Sequence, residues 1–226
     1  MNEKIFTIFK GTLQTFCDNI FFDEVQDYRE YYYKLLEKMI KEISINMILV
    51  GDYYQHSVNG QNNSGLPFEN TTYEKYINNM KELGLEVDTT SLSKSRRCSQ
   101  KVCEFVKDKF NINIEAISEN TDGNIIFINN ENKMIEIIEN DKIQKLIHSG
   151  YQSYSFNVLN YGISKGDTFD ETCVILPIKY NNLNFKGKLS DSMRNRLYVA
   201  LTRARKNVYI INGSDFKKIK DKYLIN

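Results

Sequence analysis

Phe21-Phe22-Asp23-Glu24-Val25-Gln26-Asp27 is the stretch whose reading decides the fold. Two aromatic residues close the short apolar run Asn19 to Phe22 and an acidic pair follows at once. That is the pattern of a buried parallel strand delivering side chains to a sheet edge. The run Asn46 to Val50 repeats it and leads into Gly51-Asp52. Between the two, Tyr32, Leu35, Leu36, Met39, Ile40 and Ile43 recur at helical spacing, so the segment reads strand, helix, strand. Open α/β sheets bind ligands at the carboxyl ends of their strands, which puts Asp23, Glu24 and Asp52 at a functional edge. Asp-Glu alone would equally suit a solvated strand end. Gln26, Asp27 and a second strand ending in Gly51-Asp52 favour a site.

Downstream, Gly60 to Asn70 is rich in turn formers and reads as a surface loop, with a helix after it near Tyr73 to Leu83. A second series starts near Thr89. Val102, Phe105, Val106 and Phe110 make a helical face, Asn124 to Ile128 a strand, and Met134 to Ile147 another helix. Phe156 to Leu159 and Thr172 to Leu176 read as strands. Ser190 or Asp191 caps a helix through Met193 to Arg205, followed by a strand at Val208 to Ile211 and a closing helix from Asp215. Alternating strands and helices imply an α/β protein with parallel sheets. The break between halves falls near Gly84 to Thr89.

A hydrophobic fraction of 41% supports a buried core, and a formal net charge of +1 makes any nucleic-acid surface a local stripe rather than a property of the whole chain. No apolar stretch is long enough for a membrane span and the amino terminus lacks a signal-peptide core, so a cytoplasmic location without a membrane partner is expected. Cys17, Cys98, Cys103 and Cys173 are scattered without metal-ligand spacing, which reads as reduced, mostly buried thiols.

The order Asp-Glu-Val-Gln-Asp (23 to 27), Gly-Asp-Tyr-Tyr-Gln (51 to 55), Ser-Arg-Arg (95 to 97), Ser-Lys-Gly-Asp-Thr-Phe-Asp (164 to 170) and Leu-Tyr-Val-Ala-Leu-Thr-Arg-Ala-Arg (197 to 205) resembles motifs II to VI of the UvrD/Rep type of superfamily 1 DNA helicases. Gly11 to Cys17 resembles that family's Thr-hydrophobic-His-Ser-Phe segment, with Gln14 in the histidine's place. The resemblance implies RecA-like, P-loop NTPase-type parallel sheets flanked by helices. Residues 1–86 would be a partial first RecA-like domain and 87–226 the second. It also implies ATP and Mg²⁺ as cofactors and single-stranded DNA as partner. Asp23 would hold Mg²⁺ through water, Glu24 would orient the hydrolytic water, and Gln55 would sense the γ-phosphate. Arg97 and Arg203 would stabilise the transferring phosphoryl group from the second sheet, because bidentate, permanently charged donors suit a spreading negative charge. Ser164, Lys165, Gly166 and Thr168 would contact the DNA backbone. Asp167-Thr168 stands where the family has Leu-Glu, and the family's base-stacking aromatic after the sensor glutamine is missing, with Tyr53 and Tyr54 the nearest substitutes.

The phosphate-cradling Gly-x-x-x-x-Gly-Lys-Ser/Thr loop does not occur in the chain; Phe185 to Ser190 comes nearest and lacks its first glycine and spacing. The first half therefore reads as incomplete. Three functions remain open: a helicase motor module whose Walker A unit is supplied elsewhere, a non-catalytic nucleic-acid-binding or regulatory module, and an interaction subunit offering Arg97 and Arg203 in trans. Retention of Asp23, Glu24, Gln55 and Arg203 together favours the first, with the isolated chain inactive. An incomplete parallel sheet exposes an edge or a face. The chain is therefore expected to self-associate or to bind a polypeptide carrying the Walker A unit, unless residues 1 to 18 repair the sheet.

Overall fold

The computed structural model describes residues 2–56, 65–117, 122–185 and 189–225. The chain forms two compact units, the first running to Asp88 and the second starting at Thr89. Both are α/β.

The first unit begins with helix α1 (Glu3–Phe16), started by Asn2, whose side chain accepts from the Lys4 N–H. It continues with strand β1 (Asn19–Phe22), helix α2 (Tyr31–Glu42), strand β2 (Asn46–Leu49) and helix α3 (Tyr73–Glu82). The strands pair in parallel, Asn19 opposite Asn46 and Phe22 opposite Leu49. Their side chains alternate. Ile20, Phe22 and Met47 point into a core with Phe6 and Leu13 of α1, Leu35 and Met39 of α2, and Ile43. Phe21, on the other face, is 70% exposed and Ile48 39%. The strands were expected to be buried; they are covered on one face alone, because α1 lies on the same side as α2. Residues 3–16 thus thicken one layer and add no strand to the sheet. Tyr32, expected on the buried face of α2, is exposed, and Tyr33 is buried in its place.

The expected surface loop 60–70 lies outside the described residues up to 64. Within its remainder Pro67 is buried and Phe68 is 2% exposed. Phe68 packs with Tyr33, Tyr53, Tyr76 and Met80, so this turn-rich segment contributes to a core.

In the second unit a short pair, β3 (Lys94–Ser95) and β4 (Glu115–Ala116), brackets helix α4 (Gln100–Phe110). There follow β5 (Ile125–Ile128), α5 (Glu131–Glu139), β6 (Ile143–Ile147), β7 (Val158–Asn160), β8 (Glu171–Ile175), α6 (Asp191–Leu201), β9 (Val208–Ile211) and α7 (Gly213–Ile219). The main sheet is five-stranded and wholly parallel, in the order β5-β9-β8-β6-β7. Met134, Ile137 and Ile138 of α5 and Phe216 and Ile219 of α7 bury Ile143, Cys173, Ile175 and Ile211 on one face. Helices α4 and α6 pack together and against β5 and β8, and by the period-two alternation they take the other face. This is a parallel sheet flanked by helices, the RecA-like architecture.

The expected helix Met134 to Ile147 is the largest correction. The helix stops at Glu139, and Ile143–Ile147 is the fully buried strand between β8 and β7. Ile143, Leu146 and Ile147 continue a helix-compatible spacing, while Gln144 and Lys145 disguise a strand that is apolar in environment but not in sequence. Lys145 is buried, its ammonium donating to the Asn140 carbonyl at 3.1 Å. The helix expected through Arg205 ends at Leu201, where Thr202 departs from helical geometry. The closing helix starts at Gly213 rather than Asp215. A Cβ at Gly213 would sit 2.3 Å from the Leu176 carbonyl oxygen, so only glycine lets α7 enter that close.

Candidate functional site

In the first unit the two strand ends are tied together. The Val50 N–H donates to the Phe22 carbonyl at 2.8 Å, and the Val25 N–H donates to the Val50 carbonyl at 3.1 Å. Asp23 and Glu24 follow β1 directly and are exposed. Glu24 is left-handed, with φ 52° and ψ 42°, a conformation costly for a residue with a Cβ and concentrated at functional sites. Its N–H donates to the Asp23 carboxylate at 2.8 Å.

Gln26, in the short turn after Glu24, is 1% exposed. Its Nε2 donates to the Glu24 carboxylate, and its Oε1 accepts from the Asp52 N–H at 3.0 Å. Asp52 in turn accepts from the Tyr54 N–H at 2.9 Å and from Gln55 Nε2 at 3.0 Å. The structure therefore gathers Asp23, Glu24 and Gln55 into one hydrogen-bonded cluster at the carboxyl edge of β1 and β2. Exposed carboxylate oxygens are the hard donors that Mg²⁺ takes, so Asp23 and Glu24 fit that ion chemically. The described residues offer no glycine-rich cradle for phosphates.

Tyr53 does not fit a base-stacking role. It is buried among Tyr54, His56, Phe68, Tyr73 and Tyr76, and its hydroxyl donates to the Thr71 carbonyl at 2.9 Å. Tyr54 stacks on Tyr73 with ring centroids 5.6 Å apart. These rings build the core of the first unit, a use that their exposed-looking position after a strand did not reveal.

In the second unit Arg97 and Arg203 converge on Thr202. Arg97 Nη1 donates to the Thr202 carbonyl at 3.1 Å. Arg203 Nη2 donates to the Thr202 hydroxyl at 3.4 Å, and its Nε donates to the Val199 carbonyl at 3.0 Å. Arg203 is only 3% exposed and lies against the carboxyl end of α6, where the helix dipole favours a cation. Beside them the Cys98 thiol donates to the same Thr202 carbonyl. It is held below its ordinary pKa, first by its hydrogen bond with Cys103, then by the Ser95 hydroxyl and the charges of Arg97 and Arg203. Cys98, Cys103 and Cys173 are buried and Cys17 is half-buried.

Ser164, Lys165, Gly166 and Thr168 form a tight turn beyond β7. Ser164 is buried, and its hydroxyl donates to the Tyr161 carbonyl at 2.8 Å, so it shapes the turn. Gly166 has φ +90°, which favours glycine. Gly166 and Thr168 are exposed, and Lys165 is half-buried. A further pair at this sheet edge escaped sequence reasoning: Arg196 of α6 lies 3.1 Å from His148 Nε2, just past β6. Burial first, then the Arg196 charge, lowers the His148 pKa, so the imidazole is neutral at neutral pH. With 143–147 read as helix, nothing placed His148 at a strand end.

Among the described residues no helix is long and apolar enough to cross a membrane. No curated protein matches the chain. Among solved structures it is similar to the arterivirus nonstructural protein 10 helicase in complex with DNA (17% identity, TM-score 0.53, covering 87% of this chain and 40% of that one). It is also similar to the PRRSV helicase (18%, 0.51, 92% and 37%). A third match is arterivirus nonstructural protein 10 in a further crystal structure (16%, 0.50, 93% and 51%). The chain thus spans about two fifths of the first of these helicases, and at such identities the likeness concerns the fold. The model of the viral superfamily 1 RNA helicase core domain matches residues 2–212, and the chain belongs to that family.

Proposed function

We propose that the chain is the motor module of a superfamily 1 helicase that couples ATP hydrolysis to movement along single-stranded nucleic acid, once a Walker A unit is supplied. The observation that carries this reading is the joined edge of β1 and β2, where Asp23, Glu24 and Gln55 share one hydrogen-bonded cluster. In it Asp23 holds the hydrated Mg²⁺, Glu24 orients and deprotonates the attacking water, and Gln55 reports the γ-phosphate. Arg97 and Arg203 supply the cationic donors of the second unit, after Arg203 turns from the Val199 carbonyl. When bound, Mg²⁺ neutralises phosphate charge.

Lys165, Gly166 and Thr168 meet the nucleic-acid backbone, with Ser164 shaping their turn. Binding is then electrostatic, steeply salt-dependent and weakly dependent on sequence. The UvrD/Rep-like motif order and the DNA complex of the arterivirus helicase support a DNA track, whereas the family description supports RNA. The bare face of Phe21, Ile48 and Val50 is where the helix of the Walker A unit docks, by covering apolar surface that α1 and α2 leave open, while its strand pairs beside β1.

The test is ATP turnover by the chain alone and with a polypeptide carrying the Walker A unit, each with and without single-stranded DNA or RNA. The chain alone stays at background. The complemented chain turns over with stimulation by one of the two strands, and Glu24→Gln abolishes it. Strand binding with no turnover under any condition establishes the non-catalytic module instead.

A further inference from the structure

Gln26 is one of the most deeply buried polar side chains of the first unit, and its side chain bonds both strand ends. Its amide orientation is fixed by its neighbours. The Asp52 N–H can only donate, so Oε1 must face it, and an ionised Glu24 can only accept, so Nε2 must face Glu24. Gly51 makes room for this: a Cβ there would stand 2.6 Å from Gln26 Oε1 and 2.7 Å from Val25 Cγ2. On the far side, Gln55 Nε2 and the Tyr54 N–H occupy the two carboxylate oxygens of Asp52. Glu24 itself sits in the left-handed region, a strained conformation that persists where its surroundings over-determine it.

We propose that Gln26 is a positioning residue that couples Gln55 to Glu24 through Asp52, so that engagement of Gln55 by the nucleotide sets the aim of the Glu24 carboxylate. The proposal rests on the reading of Glu24 and Gln55 given above. When Gln55 leaves Asp52 for a phosphate oxygen, the turn carrying the Asp52 N–H is released, and Gln26 moves with it because both ends of its amide are committed. Gln26→Glu keeps the size of the side chain and the acceptor for Asp52, but it places a carboxylate against the Glu24 carboxylate. Gln26→Met keeps the volume and removes both bonds, so a residue that merely filled space would tolerate that second change.

In the chain complemented with the Walker A polypeptide, Gln26→Glu and the volume-filling Gln26→Met lower kcat for ATP by roughly tenfold or more, while KM stays within about twofold. Combining Gln26→Met with Gln55→Ala costs no more than the slower single variant, as expected of residues acting in one chain. Retention of kcat within about twofold in both Gln26 variants, or losses that multiply in the double variant, overturns the coupling. A wild-type assembly without turnover overturns the functional reading instead. The coupling is then read without nucleotide, in the chain alone, from the side-chain amide NMR signals of Gln26. These shift on Gln55→Ala and on Glu24→Gln, and signals unmoved by both substitutions overturn it. Thermal melts of each variant report whether the fold survives.

Discussion

The two sheets of this chain are built from similar strands and end in different states of completion. In the second unit β6 is flanked by β8 and β7 and all five of its residues are buried, with helices on both faces. In the first unit β1 and β2 pair only with each other among the described residues, and every second residue looks outward. The motif chemistry differs in the same sense. Asp23 and Glu24 are exposed, while Arg203 is held inside by the Val199 carbonyl and the Thr202 hydroxyl. The lesson is that the carboxylate cluster at the ends of β1 and β2 is held by local bonds, through Gln26 and Asp52, while the outer face of these strands is bare.

The contrast is sharpest in stability. Leu146→Ala should cost about 2–5 kcal/mol, because the residue is fully buried and the surrounding strands cannot collapse onto the gap. Ile48→Ala on the bare face should stay within about 0.5 kcal/mol. Chemical unfolding monitored on both variants checks the pair, and equal losses would break the comparison. Gly51→Ala comes next, at about 1–3 kcal/mol confined to the first unit, since its Cβ would overlap Gln26 and Val25. Hydrogen exchange of the β1 and β2 amides, with those of β6 and β8 unaffected, would localise it.

Lys145 gives a smaller, pH-dependent effect. Burial lowers its pKa from 10.5, so between that lowered value and 10.5 the folded chain binds fewer protons than the unfolded one, and stability rises with pH. Lys145→Met should raise the urea midpoint at neutral pH, with the gap to wild type narrowing as pH approaches 10.5. A gap that is constant across this range would show that the ammonium is not desolvated. The smallest change is Phe21→Ser, within about 0.5 kcal/mol of wild-type stability. Its readout is sedimentation: less self-association at equal concentration if the bare face is adhesive.

Legibility followed the range of the interactions involved. The unit from β1 through α2 to β2 was readable because its periods are local and its acidic ends follow at once. The same holds for α3, α4, β8 and β9. The strand at 143–147 was hidden because burial between two neighbours, and not composition, makes Gln144 and Lys145 interior residues. The strand end pointed to Asp23 and Glu24, and the resemblance of its motif to Gln55; the amide of Gln26 that joins them was not legible, since it spans two strands. Tyr53 misled for the same reason, its partners Phe68, Tyr73 and Tyr76 arriving later in the chain. Ser164 was placed correctly in its turn, but its burial could not be read from its neighbours.

The strand order of the second unit has a consequence for biosynthesis. In the main sheet β9 is the one neighbour of β5 among the described residues, and β9 also closes onto β8. During elongation, therefore, β6, β7 and β8 can zip together while β5 waits as an unpaired ribbon, and a single late insertion of residues 208–211 fuses the two pieces. The motif at 197–205 emerges from the ribosome just ahead of that clasp. The arginine-bearing turn and the completed sheet thus appear almost together, and a nascent chain stalled before residue 208 would display the motif without the platform that orients it.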